Sequence, residues 1–348
     1  MAGVAVTVLI GCWPGLVTRA AAQTAEVVGT RALGMGGAFV AVADDPSAVY
    51  WNPAGLPRMG LINLGVDWQS FDTGLDAPTF LDPAAGGSSA LVALTTPPLG
   101  VAYYRLRQTN LFPTRPDILP PGTAFAGDGR DATLFHDGMG TSLTTHNIGA
   151  SVVQSIGERI DVAATVRFVR GEASITPRFI GAERDGDDAE LNAVADWPGK
   201  ASNTVDLDVA AMVMLGRGVR AGLIVRNLRE PEFDTPMDGV ALTLERQARA
   251  GVAWHGESSI VAVDVDLLET ESVLGPRRHV AIGGEQWFAG RRVAARAGFR
   301  LNTIENAFPT GSAGATVRLT SSIFADAQIT RGASERDRGW GISLRYAY

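Results

Sequence analysis

TVDLDVAAMVML occupies residues 204–215, and GVRAGLIVR follows at 218–226 after a single glycine-arginine step. In the first segment Val205, Leu207, Val209, Ala211, Val213 and Leu215 share one face. Thr204, Asp206, Asp208 and Ala210 share the other. In the second, Val219, Ala221, Leu223 and Val225 oppose Arg220, Gly222 and Arg226. A period of two means extended chain, because successive side chains leave a strand on opposite sides. The short turn makes the pair an antiparallel hairpin. One face is apolar throughout, while the other carries charges of both signs at mid-strand. A water-soluble sheet turns its apolar face inward; a membrane barrel turns it outward to lipid and keeps polar groups within.

The pattern recurs along the chain. SIVAVDVDLL, 259–268, sets Val261, Val263, Val265 and Leu267 against Asp264 and Asp266. RVAARAGFRL, 292–301, sets Val293, Ala295, Ala297, Phe299 and Leu301 against Arg292, Arg296 and Arg300. WGISLRYAY, 340–348, sets Trp340, Ile342, Leu344, Tyr346 and Tyr348 against Ser343 and Arg345. About fourteen such segments follow residue 60, among them 61–70, 143–155, 159–171, 203–215, 240–254 and 278–288. Many approach the roughly 9–11 residues with which a tilted strand crosses a bilayer. Their connections alternate. Thr96-Pro97-Pro98, Gly157-Glu158, Gly216-Arg217, Gly256-Glu257, Ala289-Gly290 and Ser321 are short, whereas 71–89, 109–142, 172–202, 229–239, 270–277, 302–311 and 332–338 are long. Short turns at one end and long loops at the other are the arrangement of outer-membrane barrels. The expectation is an all-β, transmembrane antiparallel barrel of about fourteen strands over 61–348, embedded in outer-membrane lipid.

The bulk composition agrees. The chain has 348 residues, a formal charge of −7 and 19% charged residues, which is no footprint for nucleic acid. Beyond the first thirty residues there is no apolar run long enough for a membrane helix. Residues 1–22 read as a signal peptide, with an apolar core from Val4 to Val17 and small residues at Ala20-Ala21-Ala22. Leu9-Ile10-Gly11-Cys12 offers a lipoprotein-box alternative. Cys12 is the one cysteine, so a disulfide framework is excluded.

Residues 23–60 are expected to form a plug. In RALGMGGAFVAVADDPSAVYWNPAGL, 31–56, Gly34, Gly36 and Gly37 lack the strand-turn-helix setting of a nucleotide loop and suit close backbone packing instead. Asp45-Pro46 reads as a helix start, with Asp45 as N-cap and Pro46 at the first helical position. Asn52 and Pro53 read as its end. Trp51 and Tyr50 are placed against the barrel wall, with ligand contact as the alternative. Asp206, Asp208, Arg220, Arg226, Asp264, Asp266, Glu285, Arg292, Arg296 and Arg300 are expected to line the lumen as an ion-pair network.

Ala32-Leu33-Gly34-Met35-Gly36-Gly37-Ala38, Ala43-Asp44-Asp45 and Trp51-Asn52-Pro53-Ala54-Gly55-Leu56 together resemble the N-terminal signature of FadL-like transporters and PorV/PorQ-like outer-membrane proteins. Val225-Arg226-Asn227-Leu228, Arg249-Ala250-Gly251, Gly283-Gly284-Glu285 and Arg296-Ala297-Gly298-Phe299-Arg300 are similar to the PorV/PorQ side. The resemblance implies a bacterial outer-membrane barrel of fourteen strands with an internal plug. It implies either a surface component of type IX protein secretion, partnered by exported proteins, or a carrier of hydrophobic molecules such as long-chain fatty acids. The PorV/PorQ expectation is the leading one.

Other features are weaker. GAERDGDDAE, 181–190, is oxygen-rich but lacks EF-hand spacing, so a solvated external loop is expected, with Ca²⁺ binding as the alternative. Phe179, Ile180, Trp197 and Pro198 in that loop, and Leu111, Phe112, Phe125 and Phe135 in the one before it, are expected to cap the barrel or meet a partner. His136, His146, His255 and His279 have no metal-ligand spacing, and no nucleophile elbow is present. No catalytic, cofactor or metal site is expected.

Overall fold

A computed structural model describes residues 18–21, 28–74, 84–113, 135–181, 187–272, 275–304, 309–334 and 337–348. Fourteen antiparallel strands close into a barrel. In chain order they are β2 (Asn63–Gly74), β3 (Ala84–Thr96), β4 (Leu99–Pro113), β5 (Phe135–Ile156), β6 (Ile160–Gly181), β7 (Lys200–Gly216), β8 (Val219–Arg226), β11 (Gln247–His255), β12 (Ser259–Asp266), β15 (His279–Phe288), β16 (Val293–Asn302), β17 (Thr310–Arg318), β18 (Ile323–Gly332) and β19 (Arg338–Ala347). Closure comes from β19 on β2, with Ile342 opposite Trp68 and Leu344 opposite Val66. No free edge remains in the wall, as lipid requires of a spanning sheet.

The two faces of the wall are inverted relative to a soluble protein. Val66, Trp68, Val205, Leu207, Val209, Val252, Val261, Val263, Ile282 and Phe299 are exposed. Asp67, Asp206, Asp208, Asp264, Glu285 and Arg296 are buried. Such a belt of outward valine, leucine and aromatic side chains is stable only against lipid. Charged residues buried in the bore survive because they are paired.

The wall is taller on one side. β5 and β6 have 22 residues each and β7 has 17, while β11, β12 and β17 have 9, 8 and 9. Twenty-two residues rise about 70 Å before tilt, well beyond a hydrocarbon core of about 30 Å. Among the described side chains of β5, the large outward apolar residues are Ile148, Val152 and Ile156, near its short-turn end. Parts of 109–142 and 172–202, expected as loop, are therefore strand: the pairing of β5 with β6 runs unbroken from Ile156–Ile160 to Phe135–Gly181.

Short elements pack on both faces of this tall wall. Helix α3 (Asp187–Ala195) takes in the last four residues, 187–190, of the segment expected as an open acidic loop, and its Leu191 and Val194 pack on Ala84 and Leu111. Between β8 and β11 lie two short strands, β9 (Glu232–Asp234) and β10 (Val240–Thr243). The single strand expected over 240–254 is thus split. Phe233 and Leu242 of this hairpin bury against Leu143, Val169 and Ala173. Strand β1 (Thr18–Ala21) runs parallel to β10. β13 (Thr270–Ser272) and β14 (Gly275–Arg277) form a small separate hairpin. Residues 1–17 and 22 of the expected signal segment, together with Phe125, Glu183 and Asp185, lie outside the described residues.

Candidate functional site

The bore of the barrel is occupied by residues 28–58. Three short turns of helix shape this plug: α1 (Thr30–Gly34), α2 (Ala48–Trp51) and the 3-10 helix η1 (Pro53–Arg58). Val28, Ala32, Met35 and the run Ala38–Ala43 are fully buried. Helix α2 starts later than the sequence suggests. Asp45 accepts from Ser47 N at 2.9 Å and Ser47 Oγ at 2.6 Å. That two-residue turn competes with capping and passes the N-cap to Ser47. Asn52 separates α2 from η1. Its Oδ1 accepts from Ala54 N at 3.0 Å, while its Nδ2 donates to Val40 O at 2.8 Å and to Ala211 O of the wall at 3.1 Å.

Glycines permit close contact between plug and wall at one point above all. Gly36 has φ +69°, and a Cβ there would meet Phe299 N at 2.7 Å. On the wall, a Cβ on Gly298 would strike Gly36 N and the Met35 carbonyl carbon. Backbone therefore lies on backbone, and neither position accepts a side chain without displacement. Gly34 presses on the Arg296 side chain, and Gly37 O accepts from Arg249 at 3.5 Å.

Charges of the wall fasten the plug. Arg31 donates from Nε and an Nη to the two oxygens of Glu285, at 2.7 and 2.8 Å, and also contacts Asp44. Glu285 is shared with Arg296 at 3.6 Å. Arg296 continues to Asp326 at 3.0 Å, and Asp326 is gripped by Arg345 at 2.6 and 2.9 Å. Asp264 accepts from the backbone of Phe39 and Val40, both at 2.8 Å. Asp67 accepts from Gly29 N, Thr30 N and Thr30 Oγ1. At the short-turn end Arg58 pairs with Asp161 at 2.6 Å.

Asp206 and Asp208 meet not the plug but Arg167, which also donates to Tyr104 Oη at 2.9 Å and to Asn227 at 2.7 Å. Arg226 lies over the Tyr50 ring, with Cζ 3.6 Å from its centroid. Asp266 pairs with Arg249 at 2.5 Å. Arg220 is half-buried near the short-turn end. One expected lumen residue is elsewhere: Arg292 is exposed in the turn before β16, its N–H bonded to Phe288 O at 3.1 Å. That bond closes the turn and starts the alternation at Val293. Arg31, Asp67, Arg167, Asp326 and Arg345 were not among the expected lumen charges. Asp67 was readable, since Leu64, Val66 and Trp68 alternate with it.

Above the plug, at the long-loop end, lies a small cleft whose free volume of about 30 Å³ is room for a water molecule or two. Its floor is Val40, Tyr50 and Trp51; its wall includes Ile224, Leu268, Arg226, Arg249 and Arg300. Trp51 is fixed by donation from Nε1 to Val28 O at 2.8 Å. Among the described residues no cluster of His, Cys, Asp or Glu is arranged to hold a metal ion.

Solved structures share this architecture. CymD, a monoaromatic hydrocarbon channel, aligns over 92% of this chain and 97% of its own, with a TM-score of 0.61 at 12% identity. A FadL homologue of Pseudomonas aeruginosa aligns over 93% and 99%, with a TM-score of 0.59 at 10% identity. The Pseudomonas putida toluene transporter TodX aligns over 94% and 98%, with a TM-score of 0.56 at 12% identity. At such identities the likeness is one of fold. A family model, described as the F plasmid transfer operon TraF protein, matches residues 150–266. No curated protein matches the sequence.

Proposed function

We propose that the chain is a bacterial outer-membrane passage for small hydrophobic molecules, closed at rest by its N-terminal plug. The observation that carries this reading is a closed fourteen-strand barrel whose bore is filled by an N-terminal plug tethered to wall charges. At the long-loop end a small cleft over Tyr50 and Trp51 marks the upper limit of the plug. Directly beneath it the bore is filled by plug, so passage needs the plug to shift. The fold shared with hydrocarbon channels supports the same reading and favours it over the secretion role expected from the PorV/PorQ resemblance. Uptake decides it. Cells expressing the chain should take up radiolabelled toluene faster than cells with an empty vector, and a deletion of residues 28–58 should abolish the resting seal.

A second reading keeps one observation of its own. The tall wall of β5, β6 and β7, with Trp197 48% exposed beside it, offers a surface on which an exported protein can dock. Loss of an exported protein from the medium on deletion of the gene, with toluene uptake unchanged, would favour it.

A further inference from the structure

The outward face of β4, β5 and β6 changes character within one step of the alternation. Tyr103, Ile148 and Phe168 are exposed in the apolar belt. Two residues further toward the long loops stand Arg105, His146 and Arg170, partners in register across the three strands. Two residues of strand rise about 7 Å, so guanidinium follows directly on lipid-facing side chains. Above this row the wall is covered. Helix α3 lies on its outward face, where Leu191 and Val194 meet Ala84 and Leu111, and a Cβ on Gly140 would strike Val194. Between the end of α3 and the wall is a polar cleft with a free volume of about 260 Å³. Arg105, Arg107, Ser142, Thr144, His146 and Ser174 line it.

The polar groups of this cleft are incompletely matched. Ser174 is 2% exposed and its hydroxyl has no hydrogen-bond partner, a desolvation cost that a polar ligand relieves. Arg107 is taken by Asp196 at 3.1 Å, and His146 by Tyr103 Oη at 2.8 Å. Arg105 and Arg170 make no ion pair among the described residues. The other carboxylate bordering the cleft is Glu172, which is exposed to water and so opposes an anion weakly.

Independently of what crosses the bore, we infer that this cleft holds the phosphorylated sugar headgroup of an outer-leaflet lipid. Arg105 and Arg170 receive the phosphate, since guanidinium meets phosphate oxygens with parallel N–H donors. The hydroxyls of Ser142, Thr144 and Ser174 meet the sugar. The acyl chains run down over Tyr103, Ile148 and Phe168. A soluble phosphate gains nothing from that apolar neighbour, whereas a lipid carries anion and hydrocarbon at this separation.

The test is native mass spectrometry of the full chain in a non-ionic detergent. Adducts are titrated for diphosphorylated lipid A, for the same glycolipid stripped of phosphate, and for glucosamine 1-phosphate, which has the headgroup chemistry without acyl chains. Lipid A should bind at least tenfold more tightly than either. Arg105→Gln/Arg170→Gln should erase the preference over the dephosphorylated lipid, and Arg105→Lys/Arg170→Lys should keep part of it. Arg318→Gln, at an exposed arginine of the short-turn end, should change nothing. The heat-dependent shift in gel mobility establishes that each variant is folded. Equal binding of the phosphorylated and dephosphorylated lipids, or a preference that survives the double glutamine variant, overturns the inference. Glucosamine 1-phosphate bound as tightly as lipid A overturns it too, in favour of a soluble phosphate.

Discussion

The residues that matter most are those where wall and plug share one atom's worth of space or one charge. Gly298 is the first kind. Gly298→Ala should drive a methyl into Gly36 N, at a cost of about 1–3 kcal/mol as for other overpacked sites. Gly311→Ala, whose Cβ meets nothing nearer than Arg331 O at 3.9 Å, should change stability by less than about 0.5 kcal/mol. Denaturant unfolding of both variants in detergent measures the contrast. Glu285 is the second kind. Its side chain is fully buried and serves Arg31 and Arg296 together. Glu285→Ala should cost about 3 kcal/mol, because it strands buried guanidinium rather than merely removing a bond. Arg31 keeps Asp44 and Arg296 keeps Asp326, which places the loss at the lower end of the range for broken buried pairs.

Among the elements, the plug is the one whose form the sequence conveyed least. Strand positions could be read from alternation, because a period of two survives any tertiary partner. Asp206, Asp208, Asp264 and Glu285 were placed on the inner face by that rule alone. The plug has no such period. Its helices have four to six residues, too short for an amphipathic stripe, and its geometry is dictated by what the wall offers. Arg31 shows the consequence: its partner is 254 residues away, and nothing local marks it. Arg292 failed for a different reason, since alternation extended back through a turn assigns faces that the turn does not have. Asp264 tests the dependence of plug on wall. In Asp264→Ala the amides of Phe39 and Val40 lose their acceptor. Hydrogen exchange in a peptide spanning residues 36–43 should speed up by tenfold or more, while the amides of β15 and β16 stay as slow as in the parent.

At the level of the whole molecule, the apolar exterior and charged bore form a barrel made for lipid. Val263 sits mid-strand on β12, facing out, with Val252 and Ile282 as its neighbours. Val263→Arg should destabilise the folded barrel by about 2–4 kcal/mol in a bilayer, with little effect on a soluble β-domain that exposed the same residue to water. Folding into vesicles, followed by the heat-dependent shift in gel mobility, reports it. The alternating loop lengths were legible from the sequence, but the rise of β5 and β6 above the belt was not, because Gly138, Gly140, Gly171 and Pro177 interrupt the alternation of their upper halves and read as loop. The central claim is that the bore is stopped by a plug tethered to wall charges. Planar-bilayer conductance of the full chain and of its Asp264→Ala/Glu285→Ala variant tests it most directly. The account predicts an electrically silent parent and stepwise openings in the variant. A large steady conductance in the parent, or a variant as silent as the parent, would contradict it.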